Sequence, residues 1–177
     1  MFGGRLKDRV GREPLQPEEF ESLVLPLLAG LAEVHTAGIV HRDLKPENIF
    51  LAQEPGTGEI VPKLLDFGIS KLNTETPEES ALRLTGAGVM MGTPMYMAPE
   101  QMRDAANVGP RADIYSFACV LYEALTGKVP IEAQTFPDLI YRIATETPDD
   151  IRTVSSTPLT LPPLYPAHIS VLPVPFK

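Results

Sequence analysis

At 177 residues, with 44% hydrophobic content and a mean hydropathy of zero, the chain has enough apolar material for one domain with its own core and too much for wholesale disorder. A formal charge of −8 excludes phosphate-backbone binding as a main role, because non-specific affinity for nucleic acid depends on lysines and arginines that release counterions. The single cysteine, Cys119, sits in an apolar run without a partner, which excludes an internal disulfide or thiolate metal site and reads as a buried thiol in a reducing compartment.

Residues 1–10 mix glycines with charges and contain no apolar run of the kind a secretory signal needs. The longest apolar stretch, residues 114–125, is shorter than the roughly 20 residues of a membrane span, so the chain is expected to be cytoplasmic with no membrane segment. A turn at Glu13-Pro14-Leu15-Gln16-Pro17 precedes a helix, with Pro17 in the first turn, where its missing N–H costs nothing. Phe20, Leu23, Val24, Leu27, Leu28, Leu31 and Val34 mark one apolar stripe that ends near Gly38, with a kink expected at Pro26. Residues 48–52 and 60–65 flank Pro55-Gly56-Thr57-Gly58 and predict a small β-hairpin. Residues 68–92 show little periodicity, and a loop of that length in a compact domain is usually functional. Residues 113–126 predict a central core helix and residues 136–145 a weaker one. Prolines 158, 162, 163, 166, 173 and 175 rule out a regular helix in the tail.

Three motifs occur in order: His41-Arg42-Asp43-Leu44-Lys45-Pro46-Glu47-Asn48, Asp66-Phe67-Gly68, and Gly92-Thr93-Pro94-Met95-Tyr96-Met97-Ala98-Pro99-Glu100. Together they resemble the catalytic loop, the metal-binding motif and the end of the activation segment of the eukaryotic-like (Hanks-type) serine/threonine protein kinases. The run Tyr96-Met97-Ala98-Pro99-Glu100-Gln101 is similar to bacterial members. Arg111 to Ser116 and Leu125 to Pro130 also look like kinase sequence, so the resemblance covers residues 3–151. It implies a mainly α (α+β) fold, the C-terminal lobe of a kinase, truncated, with a small hairpin and no N-terminal lobe. The expected division is a partial kinase domain over residues 1–152 and an irregular proline-rich tail over residues 153–177.

By this resemblance the chain is an enzyme that moves the γ-phosphate of ATP, with Mg²⁺, to Ser or Thr hydroxyls of protein substrates. Asp43 is expected to accept or orient the hydroxyl proton and Lys45 to contact the γ-phosphate. Asn48 and Asp66 offer the hard oxygen ligands that Mg²⁺ prefers, and a hairpin would bring them together although 18 residues separate them. Thr93 is expected beside the acceptor pocket and Glu47 beside the nucleotide. Phe50 fits either under the adenine ring or in the core. Arg42 implies a site for a phosphate carried by the activation segment, with Thr74, Thr76, Ser80 and Thr85 as candidate acceptors. His41, Phe67, Gly68, Glu100 and Asp113 are structural by the same resemblance, Asp113 holding the catalytic-loop backbone or capping its own helix.

A glycine-rich loop, a strand lysine and a helix glutamate complete the ATP site in the family, and none can be found here, so weak or absent turnover is expected unless a kinase N-lobe or a homodimer partner supplies them. Glu100 would need an arginine from a later helix, yet no arginine follows Arg152. The expectation is therefore an uncompensated buried carboxylate and a tail that departs from kinase sequence near Ser155. The alternative function is a catalytically silent kinase-like binding module or a gene remnant.

Overall fold

Residues 3–67, 94–104 and 107–154 are described by a computed structural model of the chain. The expected loop over residues 68–92 and the proline-rich stretch after Thr157 lie outside the described residues. Helix α2, Pro17–Thr36, starts where the sequence placed it, with Pro17 in the first turn and the Gln16 N–H donating to the Glu19 carboxylate at 3.2 Å. Leu23, Leu27 and Leu31 are buried, whereas Leu25 and Leu28 are exposed, so the buried stripe is narrower than the apolar periodicity suggests. The helix continues through Pro26, which lies on its exposed side, where water can serve the Ser22 carbonyl left without a donor. It stops at Gly38, whose φ of +76° suits glycine, and the Ile39 N–H reaches back to the Val34 carbonyl at 3.1 Å.

The expected hairpin is part of a larger unit. Strand β2, Ile49–Gln53, pairs antiparallel with β3, Ile60–Leu64, and on its other edge with β1, Gly4–Arg5, in the register Gly4 opposite Leu51 and Arg5 opposite Phe50. The sheet is thus three-stranded. The two-residue β1 runs directly into α1, Leu6–Val10, a five-residue helix that buries Leu6 and Val10.

Short helix α3, Pro99–Arg103, precedes α4, Pro110–Thr126, which begins three residues earlier than the apolar pattern indicates because Pro110 occupies its first turn. Phe117, Cys119, Val120 and Ala124 of α4 join Leu6, Leu15, Leu23, Leu27, Leu31, Leu44 and Ile49 in the main core. Leu44 is 2% exposed, and burying a side chain of that size contributes about 1.5–3 kcal/mol, which fastens the segment between α2 and β2 to the core. Cys119 is buried, and desolvation pushes its thiol up to about 12. Helix α5, Phe136–Thr145, packs through Leu139 and Ile143 beside Met102, forming a second, smaller cluster with Ile131 and Ala133. A last turn, α6 over Ile151–Val154, was not legible in the sequence. Among the described residues no helix is long and apolar enough to cross a membrane. The described fold is mainly helical with one small antiparallel sheet, as the fold-class expectation had it.

Candidate active site

The segment between α2 and β2 has almost no regular structure, so its backbone donors and acceptors must be satisfied from elsewhere. Asp113, in the first turn of α4 and 1% exposed, satisfies two of the donors. Its Oδ2 accepts the His41 N–H at 2.8 Å, and its Oδ1 accepts the Arg42 N–H at 2.8 Å. His35, near the end of α2, donates from Nε2 to Oδ2 at 2.8 Å. The N-cap of α4 is Gly109, with no side-chain capping bond. Of the two roles left open for Asp113, its bonds are those to the loop.

His41 is fully buried. Its Nδ1 accepts the Asp43 N–H at 3.3 Å, which leaves Nε2 to donate to the Leu65 carbonyl at 2.9 Å. Burial lowers its pKa and keeps the ring neutral. The ring lies 4.7 Å from that of Phe67, tilted by 39°. The Leu65 N–H donates to the Asn48 carbonyl at 2.8 Å, so Leu65 is held at both its backbone groups, once by the end of the loop and once by its start. Asp66 comes next, exposed and at φ +51°. The pairing of β2 with β3 thus extends to Leu65, the residue before Asp66.

Three side chains converge at the loop's centre. Lys45 Nζ lies 3.0 Å from Asp43 Oδ2, Asn48 Nδ2 donates to the same oxygen at 3.1 Å, and Asn48 Nδ2 also donates to the Asp43 carbonyl at 2.8 Å. Because both of those bonds use the amide nitrogen, the Asn48 oxygen is directed away from Asp43. Arg42 has φ +65°, a left-handed conformation that costs a non-glycine residue about 1–2 kcal/mol. Its Nε and Nη1 are buried with no hydrogen-bond partner among the described residues. Gln101 of α3, which the sequence did not single out, donates from Nε2 to the Arg42 carbonyl at 2.6 Å. A cavity of about 20 Å³ is lined by Arg42, Asp43, Leu44, Lys45, Tyr96, Met97, Gln101 and Ser116.

Other expected residues stand apart from this cluster. Glu47 turns one carboxylate oxygen to Lys7 of α1 in an ion pair, while its Oε2 is buried without a partner among the described residues. Phe50 is half-buried on β2 and outside the main core, and a Cβ on Gly3 would lie 3.6 Å from its ring. Glu100 is exposed in the first turn of α3, so the expectation of a buried, uncompensated carboxylate is corrected: an acid at a solvated helix N-terminus meets a favourable dipole and water. Tyr96 donates its hydroxyl to Glu123 of α4, and burial raises the pKa of both groups. Gly68, Thr74, Thr76, Ser80, Thr85 and Thr93 lie outside the described residues. Among those described, no group of three or more His, Cys, Asp or Glu side chains is arranged to hold a metal.

The protein kinase domain pattern matches residues 1–162. The chain is 38% identical over 141 residues to the serine/threonine-protein kinase PknL of Mycobacterium tuberculosis, covering 79% of this chain and 32% of PknL. It is 38% identical over 149 residues to the serine/threonine-protein kinase pkn3 of Myxococcus xanthus, covering 84% of this chain and 26% of that protein. The chain thus spans about a third or less of the length of these curated relatives. Among solved structures, a crystal structure of the Rad53 kinase domain and SCD2 matches with a TM-score of 0.57 and 26% identity, over 79% of this chain and 45% of that one. With an ordered loop built on Asp113 and a family match over nearly its whole length, the chain belongs to the protein kinase family, on its serine/threonine branch.

Proposed function

We propose that this chain carries the acceptor-side half of a phosphoryl-transfer site, which moves the γ-phosphate of ATP to Ser or Thr hydroxyls of protein substrates. The observation that supports it most is the convergence of Lys45 and Asn48 on one oxygen of Asp43, with Asp66 tied to Asn48 through Leu65. Asp43 is the acceptor for the hydroxyl proton, held by two donors that also fix its rotamer. Lys45, within reach of Asp43, places a positive charge where the transferring phosphate gains negative charge. Thr93, outside the described residues, shapes the acceptor pocket in this reading.

Asn48 and Asp66 suit Mg²⁺, which takes hard oxygens and usually completes its shell with water and phosphate oxygens, so the lack of a three-residue cluster among the described residues does not count against it. The Asn48 oxygen is left for that role because its nitrogen is engaged with Asp43. When bound, the ion neutralises charge on the β- and γ-phosphates. Phe50 and Glu47 border the nucleotide side. A glycine-rich loop and strand lysine would come from sequence beyond these residues or from a partner chain. The Arg42 guanidinium, with two buried nitrogens lacking partners among the described residues, fits a phosphate on Thr74, Thr76, Ser80 or Thr85.

The test is phosphate transfer from labelled ATP with Mg²⁺ to a generic Ser/Thr substrate, comparing the chain with Asp43→Ala. Weak incorporation that disappears in the variant is the expected result. Incorporation that persists in it refutes the role of Asp43, and none in either chain moves the function to a kinase-like binding module.

A further inference from the structure

Gln101 is 7% exposed, and its Nε2 meets the Arg42 carbonyl at 2.6 Å across 59 residues of sequence. That carbonyl can only accept, so the orientation of the amide is fixed, nitrogen toward the loop. The other edge of the same peptide group, the Asp43 N–H, is bound by His41 Nδ1 at 3.3 Å. The plane joining Arg42 to Asp43 is therefore gripped on both sides, by His41 on its N–H and by α3 on its C=O. On the upstream side the Arg42 N–H is fixed by Asp113 Oδ1 at 2.8 Å, with Arg42 held at φ +65°. A peptide group is rigid, so once its plane is fixed, the direction of the next Cβ depends on a single torsion, φ of Asp43. Asn48 Nδ2, bound to the Asp43 carbonyl at 2.8 Å, restrains that torsion as well.

We infer that Gln101 is a positioning residue for Asp43, acting through the Arg42–Asp43 peptide and tying the aim of that carboxylate to the docking of α3. The inference rests on the proposed role of Asp43 and touches neither ATP nor acceptor directly. Removing the Gln101 donor leaves a buried carbonyl without this partner and frees the plane to rotate, which changes ψ of Arg42 and φ of Asp43 together while the core of α4 stays as it was. Gln101 would thus carry the packing of α3, which starts at Pro99 with Ala98 as its N-cap, to the reacting oxygen.

The experiment uses the whole chain carrying Gln101→Met, which keeps the length of the side chain and loses the donor. Gln101→Glu, which keeps the shape and also loses the donor, serves as the second variant if the first gives no cooperative melt. Residue-resolved amide hydrogen exchange needs no turnover. Exchange at Asp43 is expected to speed up about tenfold or more relative to exchange at Val120 in the core of α4. In the transfer assay, with rates normalised to the folded fraction given by the melt, the variant is expected to lose about tenfold in kcat with KM for ATP unchanged. Unchanged exchange at Asp43, or equal acceleration at Asp43 and Val120, overturns the inference, as does a Gln101 variant with the wild-type rate where Asp43→Ala has none. If Asp43→Ala itself keeps the rate, the proposed function fails, while the exchange ratio still decides whether Gln101 holds the peptide.

Discussion

Replacing Asp113 by asparagine changes one oxygen into a nitrogen and little else, which makes it a sharp probe of the loop's anchorage. The carboxylate accepts three hydrogen bonds, from the His41 and Arg42 N–H groups and from His35 Nε2. An asparagine can face its oxygen to the His41 and His35 donors, leaving its own NH₂ against the Arg42 N–H, or to Arg42, leaving the NH₂ against two donors. In the better orientation one charge-assisted bond is lost, about 1.5–3 kcal/mol, and a buried N–H goes unsatisfied, about 1–3 kcal/mol when nothing relaxes. Partial relaxation of the loop brings the expected loss to about 2–4 kcal/mol, a large share of the roughly 5–15 kcal/mol of a typical domain. Equilibrium urea unfolding, followed by circular dichroism, should show the midpoint falling by about 1–2 M with the slope unchanged. A loss below about 0.5 kcal/mol would falsify the account of Asp113 as the loop's main anchor.

Two further outcomes follow from the described chemistry. Burial lowers the folded-state pKa of His41 below its ordinary value of 6.5, so the unfolded chain binds the proton first. The stability due to keeping His41 neutral is complete above pH 6.5 and is lost as pH falls from 6.5 toward the lower folded value, with a slope of at most about 1.4 kcal/mol per pH unit. Urea midpoints measured across that range should fall on acidification in the wild type and fall less in His41→Asn, and equal slopes in the two chains would remove His41 as the source. The Cys119 thiol, pushed up to about 12 by burial, should resist a thiol-specific disulfide reagent at neutral pH and react only at the rate of unfolding. Prompt stoichiometric labelling of the native chain would contradict its place in the core.

What the sequence disclosed followed from the length and periodicity of each element. Helices α2 and α5 and the β2–β3 pair were legible because each carries enough residues for a repeat to show, and capping prolines mark where helices start. Strand β1 has two residues and α3 five, too few for any period, and both are held by contacts made elsewhere in the chain. Local motifs named Asp43, Lys45, Asn48 and Asp66 because their order in the chain is itself diagnostic. Gln101 had no such signal: a glutamine after proline and glutamate reads as a helix surface, and only the fold turns it onto a carbonyl 59 residues away. Burial was the other blind spot, since nothing in the letters around Glu100 tells that it faces water.

Asp113 is 72 residues downstream of His41 and 71 downstream of Arg42, whose backbone it fixes. During synthesis the loop therefore leaves the ribosome well before its anchor exists. At about 5–20 residues per second, some 4–14 s pass between the two. Throughout that interval the His41-Arg42-Asp43 run is present in the nascent chain without the carboxylate that gives it shape. A chain released before codon 113 has every residue of the loop but lacks the carboxylate that fixes the His41 and Arg42 N–H groups, so the order of translation itself works against an unfinished product reaching a working site.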